Sequence, residues 1–296
     1  MNSTFAAKAW NFYPFFKVDA NGTVERYEEI KFVPPSNNSK TGVQSKDVTI
    51  LPPKNVSARL YLPKISGKNQ KFPLLFYIHG GGFCIQSAFS AMYDSYLHRL
   101  TAEANVVAVS IDYRLAPEHP IPACYDDSWA VLNWAAQRTD PWLKEHANFS
   151  RVFLAGDSAG ANIAHNLMVR ASEEGHSLLS LEGMVLVDPY FGNGKPDGLW
   201  TYLCPKSNGI DDPRFNPAAH PRTLWKLNCS KILVCTAGTD HLKDRAWTYY
   251  KTLKKIGWKG ELGIKEIEGE GHVFHLFNQT SEKAKVLMNS LVHFLA

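Results

Sequence analysis

From residue 72 onward the chain alternates short, almost wholly apolar runs with stretches whose apolar residues recur every three or four positions. The runs FPLLFYI (72–78), VVAVSI (106–111), RVFLAG (151–156), GMVLVD (183–188) and KILVCTAG (231–238) lack the alternation of a half-solvated strand. Apolar on both faces, they predict parallel strands covered by helices on each side. Helices are expected near 91–104, 123–137, 159–173, 243–256 and 281–295, and one more strand, ELGIKEIE, at 261–268. Upstream, DVTI (47–50) and VSARLYLP (56–63) flank Pro52-Pro53 and alternate like an antiparallel pair at a sheet edge. The expected fold is therefore α/β, with a mostly parallel central sheet, antiparallel N-terminal strands and helices on both faces.

Two segments lack this rhythm. Residues 1–45, with Pro34-Pro35 and the polar stretch SNNSKTG, are expected to be irregular and to wrap over the body as an N-terminal cap segment. Residues 190–228 are rich in Pro, Gly and Trp without periodicity. An insertion at that place, beyond the C-terminal ends of the strands, predicts a small lid over a substrate pocket. The rest reads as a single domain, since α/β folds of 296 residues commonly keep one core.

Composition narrows the class. With 45% hydrophobic and 20% charged residues the chain is that of a soluble globular protein. The net charge of +4 is spread along the chain without a run of five like charges, so nucleic acid is not an expected partner. No apolar run reaches the 18 residues that a bilayer span needs, and the N-terminal MNSTFAAKAWNFYPFF has no basic and apolar leader pattern. Five cysteines without a Cys-x-x-Cys pair fit a reducing compartment, and the expected localisation is cytoplasmic.

The candidate chemistry begins at GDSAG (156–160), which follows an apolar run and opens a helical pattern. A Gly-x-Ser-x-Gly string arises by chance in roughly one chain in ten of this length, so the context decides. Strand, sharp turn and helix are the setting in which such a serine is lifted above a sheet as a nucleophile. Likewise, HGGGF (79–83) follows a buried run, and three successive glycines can aim backbone N–H groups at one point, as a tetrahedral oxyanion requires. Gly80, Gly81 and Gly82, together with the amide of Ala159, are the expected oxyanion hole.

An activated serine needs a base held by an acid. Asp240, just past KILVCTAG, and His272, flanked by glycines before the last helix, supply them in the order 158, 240, 272. Asp244 is expected on the following helix, His275 packed, and His79 bracing the glycine loop, while His241 has no comparable context. Cys84 has no better claim to be the nucleophile than Ser158. No metal ligand set, dinucleotide fingerprint or P-loop is present, so neither metal nor cofactor is expected. Phe83, Ile85, Tyr190 and Trp200 are candidates to line an apolar pocket.

Taken together, HGGGF, DYRLAPEHPIPA (112–123), GDSAGAN (156–162), HVFHLFNQTSEKAK and the late Asp and His resemble the plant carboxylesterases of the hormone-sensitive-lipase-like branch of the α/β-hydrolase fold. The resemblance implies a serine carboxylesterase acting on small to medium esters of plant metabolites, acetyl esters among them, through an acyl-serine, without cofactor. Arg114 and Glu118 then belong to a structural brace. Other members of the group resemble lyases, dehydratases or cyclases, and a further set resembles non-catalytic receptors that lack the late His. This chain departs from the pattern in the short span of 240 − 158 = 82 positions between Ser158 and Asp240, and in Ala237-Gly238-Thr239, where the family carries an acidic residue.

Overall fold

The computed structural model describes residues 9–175 and 179–296, so the first eight residues of the expected cap lie outside the described residues. Three short strands, β1 (Trp10–Phe12), β2 (Phe16–Val18) and β3 (Val24–Arg26), form an antiparallel sheet of their own within the segment expected to be irregular. Then follow β4 (Gln44–Leu51), β5 (Val56–Leu62), β6 (Phe72–Ile78), β7 (Val107–Asp112), β8 (Ala147–Asp157), β9 (Leu181–Val187), β10 (Lys231–Ala237) and β11 (Glu261–Ile267). These eight make one sheet in the spatial order β4-β5-β7-β6-β8-β9-β10-β11.

Register follows from the sequence pattern. β4 and β5 pair antiparallel, as do β5 and β7, whereas β6 to β11 run parallel to one another. On β6, Leu74, Phe76 and Ile78 face one hydrophobic cluster while Leu75 and Tyr77 face another, because strand side chains alternate. The first cluster is closed by α2 (Ala123–Ala136), α4 (Ala159–Glu174) and α7 (Lys243–Lys255), and the second by α1 (Ala91–Ala104) and α9 (Glu282–Leu295). Both faces of the central strands are thus dry, which is why those strands read as continuous apolar runs.

The shorter helices are α3 (Pro141–His146), α5 (Gly198–Leu203), α6 (Pro221–Trp225) and α8 (Phe274–Phe277). Two of them, α5 and α6, lie in the expected lid. Trp200, Leu203, Phe215 and Leu224 of that segment are buried in the first core cluster, and the Asn162 amide of α4 donates to the carbonyls of Tyr190 and Arg214. The segment is therefore anchored to the body along most of its length. No helix among the described residues is long and apolar enough to cross a membrane. The ends of β6, β8, β10 and β11 carry, in turn, the glycine loop, Ser158, Asp240 and His272 on one edge of the sheet.

Candidate active site

Ser158 sits between β8 and α4 with φ 53° and ψ −118°, a conformation that costs a residue bearing a Cβ about 1–3 kcal/mol. The surroundings hold it there. Its N–H donates to the Val187 carbonyl at 2.8 Å, and its own carbonyl accepts from Tyr190 N at 3.0 Å. The flanking glycines are required by contact: a Cβ on Gly160 would lie 2.0 Å from the Ile78 carbonyl oxygen, and one on Gly156 would lie 2.5 Å from Gly160. Strand β6, the turn and α4 consequently pack closer than any side chain would permit.

Two neighbouring loops bring the other groups to Ser158. His272 Nε2 lies 2.9 Å from Ser158 Oγ, and His272 Nδ1 lies 2.8 Å from Asp240 Oδ2. A carboxylate only accepts, so Nδ1 carries the proton and Nε2 is left to accept the serine hydroxyl. Asp240 is buried, and its other oxygen accepts the Leu242 amide at 2.9 Å. Burial pushes the Asp240 carboxyl upward, yet the His272 hydrogen bond and charge outweigh it and hold the group below its ordinary range. For His272, burial works against the charged form, but the hydrogen bond to Asp240 and the charges of Asp240, Asp188 and Asp157 prevail, and its pKa is raised.

The rival residues are placed elsewhere. Asp244 is exposed in the first turn of α7. His275 is buried against Tyr96, with burial pushing its pKa down to about 3. His79 stacks on Tyr113 at 4.2 Å and its Nδ1 bonds the Gly80 carbonyl, with burial lowering its pKa to about 4, so it braces the loop as a neutral ring. Cys84 is buried, its Sγ directed to the Gly82 carbonyl and its thiol pushed up by burial. Arg114 pairs with Asp127, as a brace would.

The glycine loop needs one correction. The Gly80 N–H donates to Tyr93 Oη at 2.8 Å, and that hydroxyl donates to Asp157 Oδ2 at 2.8 Å, so the Gly80 amide is not free for an oxyanion. Gly80 is glycine for space, because a Cβ there would lie 2.3 Å from Asp157 Oδ2. The amides of Gly81, Gly82 and Ala159 have no acceptor among the described residues. Gly81 and Gly82 take φ 92° and 59°, which turns the chain sharply beside Ser158.

A family model for the alpha/beta hydrolase fold matches residues 75–198 and 191–276. Probable carboxylesterase 1 of Arabidopsis thaliana is 41% identical over 97% of this chain and 97% of its own, and 2-hydroxyisoflavanone dehydratase of Glycyrrhiza echinata is 40% identical over 95% and 94%. The chain belongs to the plant carboxylesterase family of α/β-hydrolases. Among solved structures, a hyperthermophilic esterase from the archaeon Pyrobaculum calidifontis matches with a TM-score of 0.69 at 27% identity, over 85% of each chain.

In this α/β-hydrolase Ser158 and His272 open onto a cavity of about 570 Å³. Ile85 and Tyr190 line it. Phe83 and Trp200 do not: they are buried edge to face at 6.1 Å, Phe83 packing also on Tyr190 and α5 carrying Trp200 into the core. Tyr190 alone of the expected lid reaches the cavity, whereas the N-terminal segment contributes Tyr13, Pro14, Phe15 and Glu28. Val273, Leu276 and Phe277, just past His272, close the opposite side. No motif marks these residues. The aromatic run WNFYPFF was the only sequence signal for the N-terminal ones.

Arg26 fixes the N-terminal sheet over the glycine loop. Its guanidinium makes two hydrogen bonds to Glu118, at 2.7 and 2.8 Å, and a third to the Cys84 carbonyl at 2.7 Å. Replacing Arg26 with alanine is expected to raise KM for aryl esters about threefold to tenfold with a smaller change in kcat. The Arg26–Glu118 pair is partly exposed and screened by solvent, so the clamp as a whole is worth roughly 1 kcal/mol in holding the segment. Steady-state kinetics beside a melting curve checks it, and unchanged KM in a folded variant argues against the clamp.

Proposed function

We propose that this α/β-hydrolase is a serine carboxylesterase for small to medium, largely apolar esters, with Ser158 as nucleophile, His272 as general base and acid, and Asp240 orienting the ring. The observation that carries this reading is the unbroken relay from Asp240 Oδ2 through His272 to Ser158 Oγ at the wall of the cavity. Ser158 Oγ attacks the ester carbonyl carbon while its proton passes to His272 Nε2. The carbonyl π pair moves onto oxygen, where the amides of Gly81, Gly82 and Ala159 receive it; one such donor is worth about 3–4 kcal/mol in the transition state. Collapse expels the alcohol oxygen, which takes the proton from His272. Water then attacks acyl-Ser158 by the same steps in reverse, releasing the acid.

The N-terminal segment acts as the cap in this reading, and Tyr190 is the contribution of residues 190–228 to the cavity wall. Acyl groups from acetyl upward fit the reading, since the cavity of about 570 Å³ is walled mainly by apolar and aromatic side chains such as Phe15, Tyr190 and Leu276. The five unpaired cysteines favour a reducing compartment such as the cytoplasm. No step calls on a cofactor.

Elimination is the second reading, favoured by the relative named a 2-hydroxyisoflavanone dehydratase. A His base beside a carbonyl-polarising hole also suits removal of a proton next to a carbonyl. Acid quench during turnover of 4-nitrophenyl acetate, followed by peptide mass spectrometry, separates the two. Acetylation of the peptide carrying Ser158, with a burst of nitrophenol, is expected. Nitrophenol release with no acylated Ser158 under any quench time excludes the esterase mechanism.

A further inference from the structure

Asp188, immediately after β9, has no part in the relay just described, yet it is buried beside it. Its backbone is in the left-handed region at φ 45° without being glycine, and its N–H is tied to the Cys235 carbonyl at 2.8 Å. One carboxylate oxygen accepts the amide of Ala237, three residues before Asp240, at 2.8 Å. The other accepts the amide of Val273, next to His272, at 2.9 Å. A single side chain therefore fastens the loop carrying the acid to the loop carrying the base. An oxygen of Asp188, an oxygen of Asp240 and a ring nitrogen of His272 lie within 4.8 Å of one another. That grouping is poorly suited to a cation, since His272 Nδ1 and both Asp188 oxygens are already engaged by protons.

We infer that Asp188 is a second carboxylate of the His272 site, a positioning residue that sets the spacing of the acid and base loops and stabilises the imidazolium as it forms. The inference rests on the reading of Ser158, Asp240 and His272 as a catalytic relay. Two physical consequences follow. First, Val273 is itself left-handed at φ 47°, and the hydrogen bond its N–H donates to Asp188 fixes the turn that aims His272 at Ser158. Second, a negative charge this close in a dry environment favours the protonated ring whenever the reaction places a proton on Nε2.

Burial raises the pKa of the Asp188 carboxyl and Asp240 adds to this, while His272 and the two backbone N–H donors on its oxygens favour the charged form. The groups facing His272 are Asp240 and His241 from the loop after β10, Asp188 after β9, Asp157 at the end of β8, and His275 from α8. Of these, Asp240, Asp188 and Asp157 raise its pKa, and the neutral His275 and exposed His241 do not offset them.

The test is Asp188→Asn in the full-length enzyme, assayed with 4-nitrophenyl acetate from pH 5 to 9 beside the wild type and Ser158→Ala. Asparagine keeps the volume but removes the charge and sets an NH2 against one of the two backbone N–H groups. The expected loss in kcat is about tenfold to a hundredfold with little change in KM, the size of a lost hydrogen bond between a charged group and a buried partner. Because Asp188 raises the His272 pKa, the acid limb of kcat/KM is expected to move to lower pH. A purely structural residue would not move that limb. Asp188→Glu, which restores the charge but not the length, is expected to recover the limb more than kcat. Wild-type rates and an unmoved limb in Asp188→Asn overturn the inference. So does a loss of activity with the limb in place in enzyme that melts normally. Should Asp188→Asn fail to fold, the limb of Asp188→Glu decides: displaced from the wild-type position, it overturns the charge effect. Activity surviving in Ser158→Ala would instead remove the reading on which the inference rests.

Discussion

Replacing either Ser158 or His272 with alanine is expected to lower kcat for a short-chain aryl ester by about a millionfold, and replacing both by hardly more. The geometry requires this non-additivity. Ser158 Oγ and His272 Nε2 share one proton at 2.9 Å, so each is useful only through the other. Without His272 the hydroxyl is a neutral alcohol of ordinary nucleophilicity. Without Ser158 the imidazole faces an empty space where an attacking atom should be. The residual rate comes from substrate binding and from the amides of Gly81, Gly82 and Ala159, which remain in place and leave catalysis about a thousandfold or more above the reaction in water. KM should change little, because most of the cavity wall comes from other residues, those of the N-terminal segment and of α8 among them. Nor should the fold suffer: alanine keeps the Cβ of Ser158, so the left-handed backbone at φ 53° is neither relieved nor worsened. Kinetics with active-site titration by a fluorophosphonate checks the pair, and the titration should find no labelled enzyme in Ser158→Ala. Turnover within a hundredfold of wild type in either variant would show that another residue attacks.

The central sheet was legible because its signal is local. Runs such as FPLLFYI and RVFLAG are apolar on both faces only where helices cover both sides, and the observed β6 and β8 match those runs within a few residues. Ser158 and the glycine loop were legible for the same reason: the close packing that forbids a Cβ at Gly156 and Gly160 is written in the residues themselves. What escaped depends on contacts between distant parts of the chain. Gly80 looks like a third oxyanion donor until Tyr93, from α1, takes its N–H. Phe83 looks like a pocket residue until its ring is found packed edge to face on Tyr190 and Trp200. Strands of three residues, β1 to β3, are too short to show alternation, and Pro14 interrupts them. Helix α3 did leave a mark, since Asp140 accepts the Trp142 and Leu143 amides and Pro141 occupies the first turn, a start signal that carries no apolar period behind it. Asp188 left none: a single acidic residue after a strand acquires meaning only when β9 brings it between Ala237 and Val273.

Asp240→Asn is expected to cost about ten-thousandfold in kcat, and the reason lies in a backbone amide rather than in the lost charge alone. Leu242 N–H points at Asp240 Oδ1 at 2.9 Å, and His272 Nδ1 faces Oδ2 at 2.8 Å. A carboxylate accepts at both atoms, but a carboxamide accepts at one and donates at the other. If the Asn oxygen faces His272, its NH2 is driven against the Leu242 N–H, donor against donor in a buried site, a penalty of roughly 1–3 kcal/mol. If the oxygen satisfies Leu242, the NH2 faces Nδ1, which must then accept, and the ring proton moves to Nε2. In that tautomer Nε2 donates toward Ser158 Oγ and cannot remove its proton. The backbone therefore selects the inactive ring. His272 also loses the charge that contributes most to raising its pKa, so the acid limb of kcat/KM should fall to lower pH, in the same direction as for Asp188→Asn but further. A pH profile and the imidazole nitrogen shifts by NMR read both effects. Activity within about tenfold of wild type would sink the assignment of Asp240, and if Asp188→Asn were then the inactive variant, the orienting carboxylate would be Asp188, the only other one with an oxygen within 4.8 Å of the ring in the described cluster.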